Sequence, residues 1–477
     1  MNTMTRLSFL TKENLEEIHS VSLKLLADTG VRILNEEAIG LLKEAGCSIS
    51  GDIVKFPSSL VVDCLRLVPS AFSLFSRDGK NSFIVGQDNV LINPGSSAAY
   101  FKDRKSGEIR KGTSKDILDL VHVVEHLEHF KAQSTSLIPS DVHIKLSGIQ
   151  RLYLTLKNSN KPIVTGAFFK EDFHIMRELL ETVAGGSEEH VKRPQAIFDC
   201  CPSSPLTWND TGSQNLIDCA TISMPAQIVP SPLMGASSPI TINGTIVQQN
   251  MEILSGVVIA QLVNPGTPLV YGGAIGSMDM RYGAPRYSSI EAIMAASMSN
   301  EIGKSYGIPT HAYLGTSESK IEDSQSGYET GLGLILGILS RINVISGPGL
   351  LSQLNCQSLE KLVIDNEYCG SALRLIRESD SLLIDDVYDL INNVGPGGDY
   401  LKQKHTQINY REKHLFPSDV LCRLNLQSWV DDGQKTTSDR AQSIVDTLLQ
   451  KEVEIALSNS ITDDLDRIYN TAKKSLF

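Results

Sequence analysis

The chain has 477 residues, 41% of them apolar and 21% charged, a composition ordinary for a compact globular protein. Its 43 basic and 55 acidic residues leave a net charge of -12 with no cluster of Lys or Arg, which argues against a nucleic-acid partner. No apolar run approaches the roughly 18 residues of a membrane span, and the start, MNTMTRLSFLTKENLEEI, lacks the marks of a secretory signal, so no membrane association and a cytoplasmic location are expected.

The spacing predicts helices over 12–29 and 35–46, the first opening at Thr11 with Glu13 and Asn14 in its first turn. The β-like fragments DIVKF, FSLFS and VLINPG follow, and then AAYFKDRKSGEIRKG, which reads as a hairpin turning at Ser106 and Gly107. Residues 1–112 are therefore expected to form an N-terminal attachment. From 113 the pattern becomes regular: AQSTSLI, PIVTGAF, QAIFDCC, QIVPSPL, PLVYGGA, IPTHAYL and NVISG alternate with helical segments, the clearest at 242–263, 288–305, 324–341 and 358–376. Seven βα units are legible, and an eighth, around SLLIDD, is weak. Their number, with no G-x-G-x-x-G after any strand, predicts an α/β fold: a closed (β/α)8 TIM barrel over 113–420 with a C-terminal helical extension over 421–477. An apolar barrel flank with helices added at both ends points to a homo-oligomer.

In such a barrel the active site lies at the C-terminal ends of the strands. The residues predicted there are Ser134, Thr135, Ser136, Phe168, Phe169, Ser231, Tyr271, His311, Tyr313 and Thr316, with Tyr100 in the preceding hairpin and Gln353 in the loop after NVISG. Asn366 falls inside the apolar stripe of Leu359, Leu362, Val363, Leu373 and Ile376, so its amide is either a pocket residue or a structural clamp.

His122, His126 and His129 share one helix stripe, but Ile117, Leu120, Val123, Val124 and Leu127 occupy the opposite side, which turns the histidines outward, and no H-E-x-x-H pattern is present. The eight cysteines, Cys200 and Cys201 among them, have no zinc spacing, and neither G-x-S-x-G nor a phosphate-binding loop occurs, so no bound metal is expected. A mouth with aromatic rings and few acids suits a weakly hydrated cation, since each ring attracts a quaternary ammonium by about 0.5–2 kcal/mol. Plain aromatic packing would use the same residues.

Several stretches together resemble the trimethylamine methyltransferase family of corrinoid-dependent enzymes, specifically its members without pyrrolysine: TGVRI (29–33), AAYFKD (98–103), MGASSPITINGTIVQQNMEILSGVVIAQLVNPGTPLVYGG (234–273), SESKIEDSQSGYE (317–329), GPGLLSQL (347–354) and LVIDNE (362–367). The resemblance implies a barrel that moves a methyl group from an amine to the Co(I) form of a cobalamin held on a separate corrinoid protein. It also places Gln353 at or beside the loop position that carries pyrrolysine in the trimethylamine enzyme, which makes Gln353 the expected catalytic residue. Glutamine there departs from the pyrrolysine pattern and shifts the expected substrate to a quaternary amine such as glycine betaine, proline betaine, carnitine or γ-butyrobetaine.

A quaternary nitrogen already carries its charge, so it leaves as a neutral amine without a general acid. Positioning the N–CH3 axis about 3–3.5 Å from the attacking atom is then the main task. Tyr100, Phe168, Tyr271, His311, Tyr313, Thr316 and Asn366 are expected to bind the substrate, with rings rather than a carboxylate at the nitrogen, because a tight grip on the cation would favour the ground state. Burying the betaine carboxylate unpaired would cost several kcal/mol, so it needs donors, for which His311, Thr316, Lys320 and Gln353 are the candidates. Two other readings are carried: a betaine-binding barrel without methyl transfer, and an unrelated barrel enzyme pairing His311 with Asp323 or Glu318.

Overall fold

The computed structural model describes residues 6–377, 384–413, 418–455 and 457–475. All seven predicted strands form, each two to five residues long and nearly continuous in apolar or small residues, as strands covered on both faces require. Numbered around the barrel they are β2 (Gln133–Ser134), β3 (Ile163–Thr165), β4 (Ala196–Cys200), β5 (Ala226–Ile228), β6 (Leu269–Tyr271), β7 (His311–Tyr313) and β8 (Val344–Ser346). The remaining strand, β1, is Leu91–Asn93, the VLINPG segment, which pairs in parallel with β8 through Leu91↔Val344 and Asn93↔Ser346.

Parallel pairing continues from β2 to β6, the bridge Tyr271↔Thr310 leads towards β7, and the Lys131 N–H donates to Ile92 O between β1 and β2. The barrel thus draws its first strand from the stretch expected to be an attachment, and NVISG is the eighth strand rather than the seventh. The weak unit at SLLIDD supplies no strand among the described residues: 381–383 lie outside them, and Ile384 opens the helix Ile384–Val394. Hydrophobic periodicity could not rank VLINPG above its neighbours, because a three-residue buried strand carries no period.

Helix boundaries follow their capping residues. Thr11 and Asn14 form a reciprocal box at the start of Lys12–Asp28, as Thr113 and Asp116 do for Ser114–His126. The helix Ile242–Val263 has the length and hydropathy of a membrane span, but 78% of its most apolar window is buried, so it is a core helix, apolar on all sides because it is enclosed. The predicted hairpin is present as Tyr100–Lys102 against Ile109–Lys111.

A second hairpin, Ala71–Phe75 with Ser82–Gly86, stops the lower end of the barrel. Its Leu74 and Val85 join Leu91, Ala132, Ile197, Val270 and Val344 in one buried cluster. Leu91, Ala132 and Val344 stand at or just before the starts of their strands, so the N-terminal end is closed with hydrocarbon and the opposite end is left for polar groups. The C-terminal helices Thr437–Gln450 and Asn459–Ser475 pack on the outside, the first against Leu359–Arg374 and Ser114–His126, the second against Asp172–Ala184 and Ser147–Asn158.

Candidate active site

At the C-terminal ends of β2–β5 and β7 lies a cavity of about 560 Å³, lined by Ser96, Ser97, Thr135, Arg151, Thr165, Gly166, Phe168, Asp199, Cys201, Asn215, Ser231, Tyr313 and Leu354 among others. The barrel holds its walls close: a Cβ on Gly166 would sit 3.1 Å from the Asp199 carbonyl oxygen, so strands β3 and β4 approach here only because the residue is glycine.

Arg151 is the dominant charge. It lies on the helix Ser147–Asn158 after β2, on the stripe of Ser147, Gly148 and Thr155, small residues that let its side chain turn into the barrel, where only 1% of it is exposed. Its Nη2 donates to the Thr135 carbonyl, to Thr135 Oγ1 at 2.7 Å and to Ser97 Oγ at 3.0 Å. The guanidinium stands 4.5 Å over the Phe168 ring. Nη1 and Nε, both buried, have no partner among the described residues. Burial lowers this guanidinium to about 10, against the pull of Tyr313, Asp199 and Asp172, so it stays charged at neutral pH.

Asp199, at the end of β4, accepts from Gln227 Nε2 of β5 at 2.8 Å. Burial pushes its carboxyl up to about 7, a rise that the Gln227 hydrogen bond and the Arg151 charge oppose. An acid therefore lines the cavity together with the rings of Phe168 and Tyr313. Asp172, raised by burial to about 6, accepts from the Phe168 and Phe169 amides at 3.1 and 3.2 Å and so fixes the loop that presents Phe168. The Tyr313 hydroxyl is 2.6 Å from Ser96 Oγ, and burial holds it protonated.

Of the substrate residues expected from sequence, the cavity brings Phe168 and Tyr313 together, with Thr135 and Ser231 from the wider set. The others lie elsewhere for identifiable reasons. Tyr271 points out of the barrel and donates to Asn250 Oδ1 at 3.0 Å. His311 lies inside the barrel with Nε2 3.2 Å from Ser346 Oγ and its ring edge-on to Tyr313; burial lowers it to about 3, leaving it neutral. Thr316 donates to Leu350 O at 3.4 Å, and Lys320 to Glu318 O at 2.7 Å. Tyr100 lies under the Lys111 ammonium, 4.1 Å from its ring centre.

Asn366 accepts from the His129 amide at 3.1 Å, the clamp rather than the pocket. Gln353 occupies a left-handed turn, with φ of 54°, 56° and 64° at Ser352, Gln353 and Leu354; Leu354 reaches the cavity wall and Gln353 does not.

The pairing of His311 with Asp323 or Glu318 is not made. Asp323 caps the helix Ser324–Leu339, and Glu318 accepts from the Tyr287 and Ser288 amides at 2.7 Å each. His122 reaches Leu448 O at 2.8 Å, so the histidine stripe faces the C-terminal helix, and among the described residues no cluster of three potential metal ligands occurs. The described cysteines form no disulfide.

Sequence reading missed Arg151 and Asp199. The signal for Asp199 was an acid inside the apolar strand AIFDC, and for Arg151 a cation in register with Ser147, Gly148 and Thr155.

Compared with known proteins, the profile of the trimethylamine methyltransferase (MTTB) family matches residues 1–476. The chain belongs to this family. Among its relatives are a glycine betaine methyltransferase of Desulfitobacterium hafniense (strain Y51), 27% identical over 464 residues (96% of this chain, 95% of the relative), and the trimethylamine methyltransferase MttB of Methanosarcina barkeri, 28% identical over 484 residues (98% and 96%). The crystal structure of the Methanosarcina barkeri monomethylamine methyltransferase MtmB superposes with a TM-score of 0.56 at 12% identity, covering 99% of this chain and 88% of that one, which supports the barrel fold. This methyltransferase-family barrel therefore carries its polar cavity at the end where such folds do their chemistry.

Proposed function

We propose that the protein removes a methyl group from a betaine, a quaternary amine bearing a carboxylate, and passes it to the Co(I) of a cobalamin carried by a partner corrinoid protein. The observation that carries this reading is Arg151. A fully buried guanidinium with two unpartnered nitrogens beside a cavity has an unmet need for an anion, and a carboxylate meets it with a charge-assisted hydrogen bond. Trimethylamine has no such group.

Phe168 and Tyr313 offer ring surface to the N-methyl groups, and Thr135 and Ser97 hold Arg151 in place. The acceptor would meet the substrate from the open mouth, where the exposed side chains of Ile240, Met280 and Tyr282 supply apolar rim for a docked protein. The cobalamin supplies a strong nucleophile for the methyl carbon; the chain's own residues bind, orient and exclude water. Gln353 stands one residue from the wall, and in this reading its turn places Leu354 rather than taking part itself.

The test is the visible absorbance of reduced corrinoid protein mixed with this chain and, one at a time, trimethylamine, glycine betaine, proline betaine, carnitine and γ-butyrobetaine. Loss of the Co(I) band with a betaine and not with trimethylamine is expected. Loss with trimethylamine alone would overturn the reading, and binding of a betaine with Co(I) left intact would make this a betaine-binding barrel without transfer.

A further inference from the structure

Arg151 and Asp199 line one cavity yet form no ion pair, each being tied to neutral neighbours instead: Arg151 to Thr135 and Ser97, Asp199 to Gln227. Asp199 Oδ2 takes no hydrogen bond from any described residue, while Oδ1 is held by Gln227 at 2.8 Å. A fixed cation and an ionisable carboxyl left apart in a cavity of about 560 Å³ are the complement of a molecule that is itself a zwitterion.

We infer that Asp199 faces the cationic nitrogen of the substrate, gives up its proton to solvent as that cation binds, and accepts a hydrogen bond from the protonated amine product once the methyl has left. This rests on the betaine reading, which assigns the carboxylate to Arg151 and leaves Asp199 for the other end.

The proton count closes. The arriving ammonium displaces one proton from the neutral carboxyl to solvent. In transfer, the C–N bond breaks with its electron pair kept by nitrogen, and the methyl carbon bonds to the electron pair of Co(I), which becomes Co(III). The lone pair forms along the broken bond, facing the departing methyl, so protonation follows cleavage and cannot assist it. The freed amine then takes one proton from solvent and donates it in a hydrogen bond to the Asp199 carboxylate. One cation stands beside the Asp199 carboxylate in the substrate complex and again once the amine is protonated, so the carboxylate lacks a counter-charge only between cleavage and that protonation.

The groups facing Asp199 are Arg151 from the helix after β2, Tyr313 from β7 and Cys201 on its own strand, with Asp172 acting on Arg151 from the loop after β3. Burial keeps Tyr313 and Cys201 protonated, so near neutral pH Asp199, at about 7, and Asp172, at about 6, are the two that can release a proton.

Calorimetry of glycine betaine binding to the full chain, in two buffers of different ionisation enthalpy, measures the released proton directly. About half a proton per ligand is expected at pH 7, with affinity tightening about tenfold from pH 6 to pH 8, as binding to the ionised form requires. 3,3-Dimethylbutyrate, which has the same shape and carboxylate but no cationic centre, should bind without proton release. D199N should abolish both the release and the pH dependence.

Should D199N not fold, Gln227→Leu removes the bond that favours the ionised carboxyl, and release at pH 7 should rise towards a whole proton. Betaine binding with no proton released, release that persists in D199N, or release unchanged in Gln227→Leu would overturn the inference. A wild-type chain that binds no betaine at all would overturn the betaine reading together with it, a result distinguishable from betaine bound without proton exchange.

Discussion

The two sides of the barrel mouth treat buried charge in opposite ways. Beyond β8, Lys361 and Asp365, each 1% exposed, lie 2.7 Å apart; Lys361 also donates to Thr330, and Asp365 also accepts from the Gly349 amide. Beyond β2–β4, Arg151 is equally buried and leaves two nitrogens empty, and Asn215 leaves its Oδ1 empty beside it. The same fold thus contains a charge pair closed upon itself and a charge held open. The first shapes the GPG turn, and the second is the charge that the proposed function assigns to a ligand carboxylate, since a buried polar group without a partner calls for an explanation.

Breaking the closed side should have the largest effect. Asp365→Ala leaves the Lys361 ammonium buried and the Gly349 amide unpartnered, and should destabilise the protein by about 3–5 kcal/mol in denaturant unfolding. Arg151→Met should do the reverse: no loss of stability, since an unpaired buried charge is removed, but glycine betaine affinity about 10- to 100-fold weaker by calorimetry, the worth of hydrogen bonds to a charged group. If Arg151→Met proved as destabilising as Asp365→Ala, the contrast between the two sides would fall.

Asp199 sharpens the comparison through pH. Its folded value of about 7 lies above the ordinary carboxyl range, so the folded state holds its proton more tightly than the unfolded chain. That contribution is fully present below the unfolded value and is lost as pH rises through 7. D199N should therefore raise the melting temperature relative to wild type at pH 8 and change it little at pH 4. Phe168→Ala should weaken betaine binding by less than tenfold, about 0.5–1.3 kcal/mol, the loss of one ring face. Smallest of all, Gln353→Gly should leave affinity within about threefold and raise stability by up to about 1 kcal/mol, because glycine adopts φ of 56° without strain.

The same contrast explains what the sequence could tell. The barrel was legible because βα alternation repeats, and seven strand segments were placed from it. VLINPG was legible as β-like but not as β1, since it stands apart from the βα alternation and its partner β8 lies far downstream. Of the residues that line the cavity, Phe168 and Tyr313 could be placed there from their positions at strand ends. Tyr271 stands at a strand end too, but strand side chains alternate and its ring points outward, whereas His311 shares the inward face of Tyr313 and opens its strand two residues deeper in the barrel. Family-like stretches do not by themselves mark cavity residues: SESKIEDSQSGYE contains a loop clamp, Glu329 accepting from Ser317 at 2.6 Å, and LVIDNE contains Asn366, which accepts from the His129 amide. Arg151 lay in SGIQRLYLTLKN, where a lone arginine on an amphipathic helix looks like a surface charge until the small residues in register with it are noticed.

The hairpin that stops the lower end of the barrel has a kinetic corollary. With Leu74 and Val85 filling the floor, the cavity lies at the C-terminal ends of the strands, the face on which a corrinoid protein would dock in the proposed reaction. In that reaction a docked partner would hold the demethylated amine in the cavity until it departs. Steady-state kinetics should accordingly be ordered: the small substrate binds first and its product leaves last, and added amine product should inhibit competitively against betaine and not against the corrinoid protein.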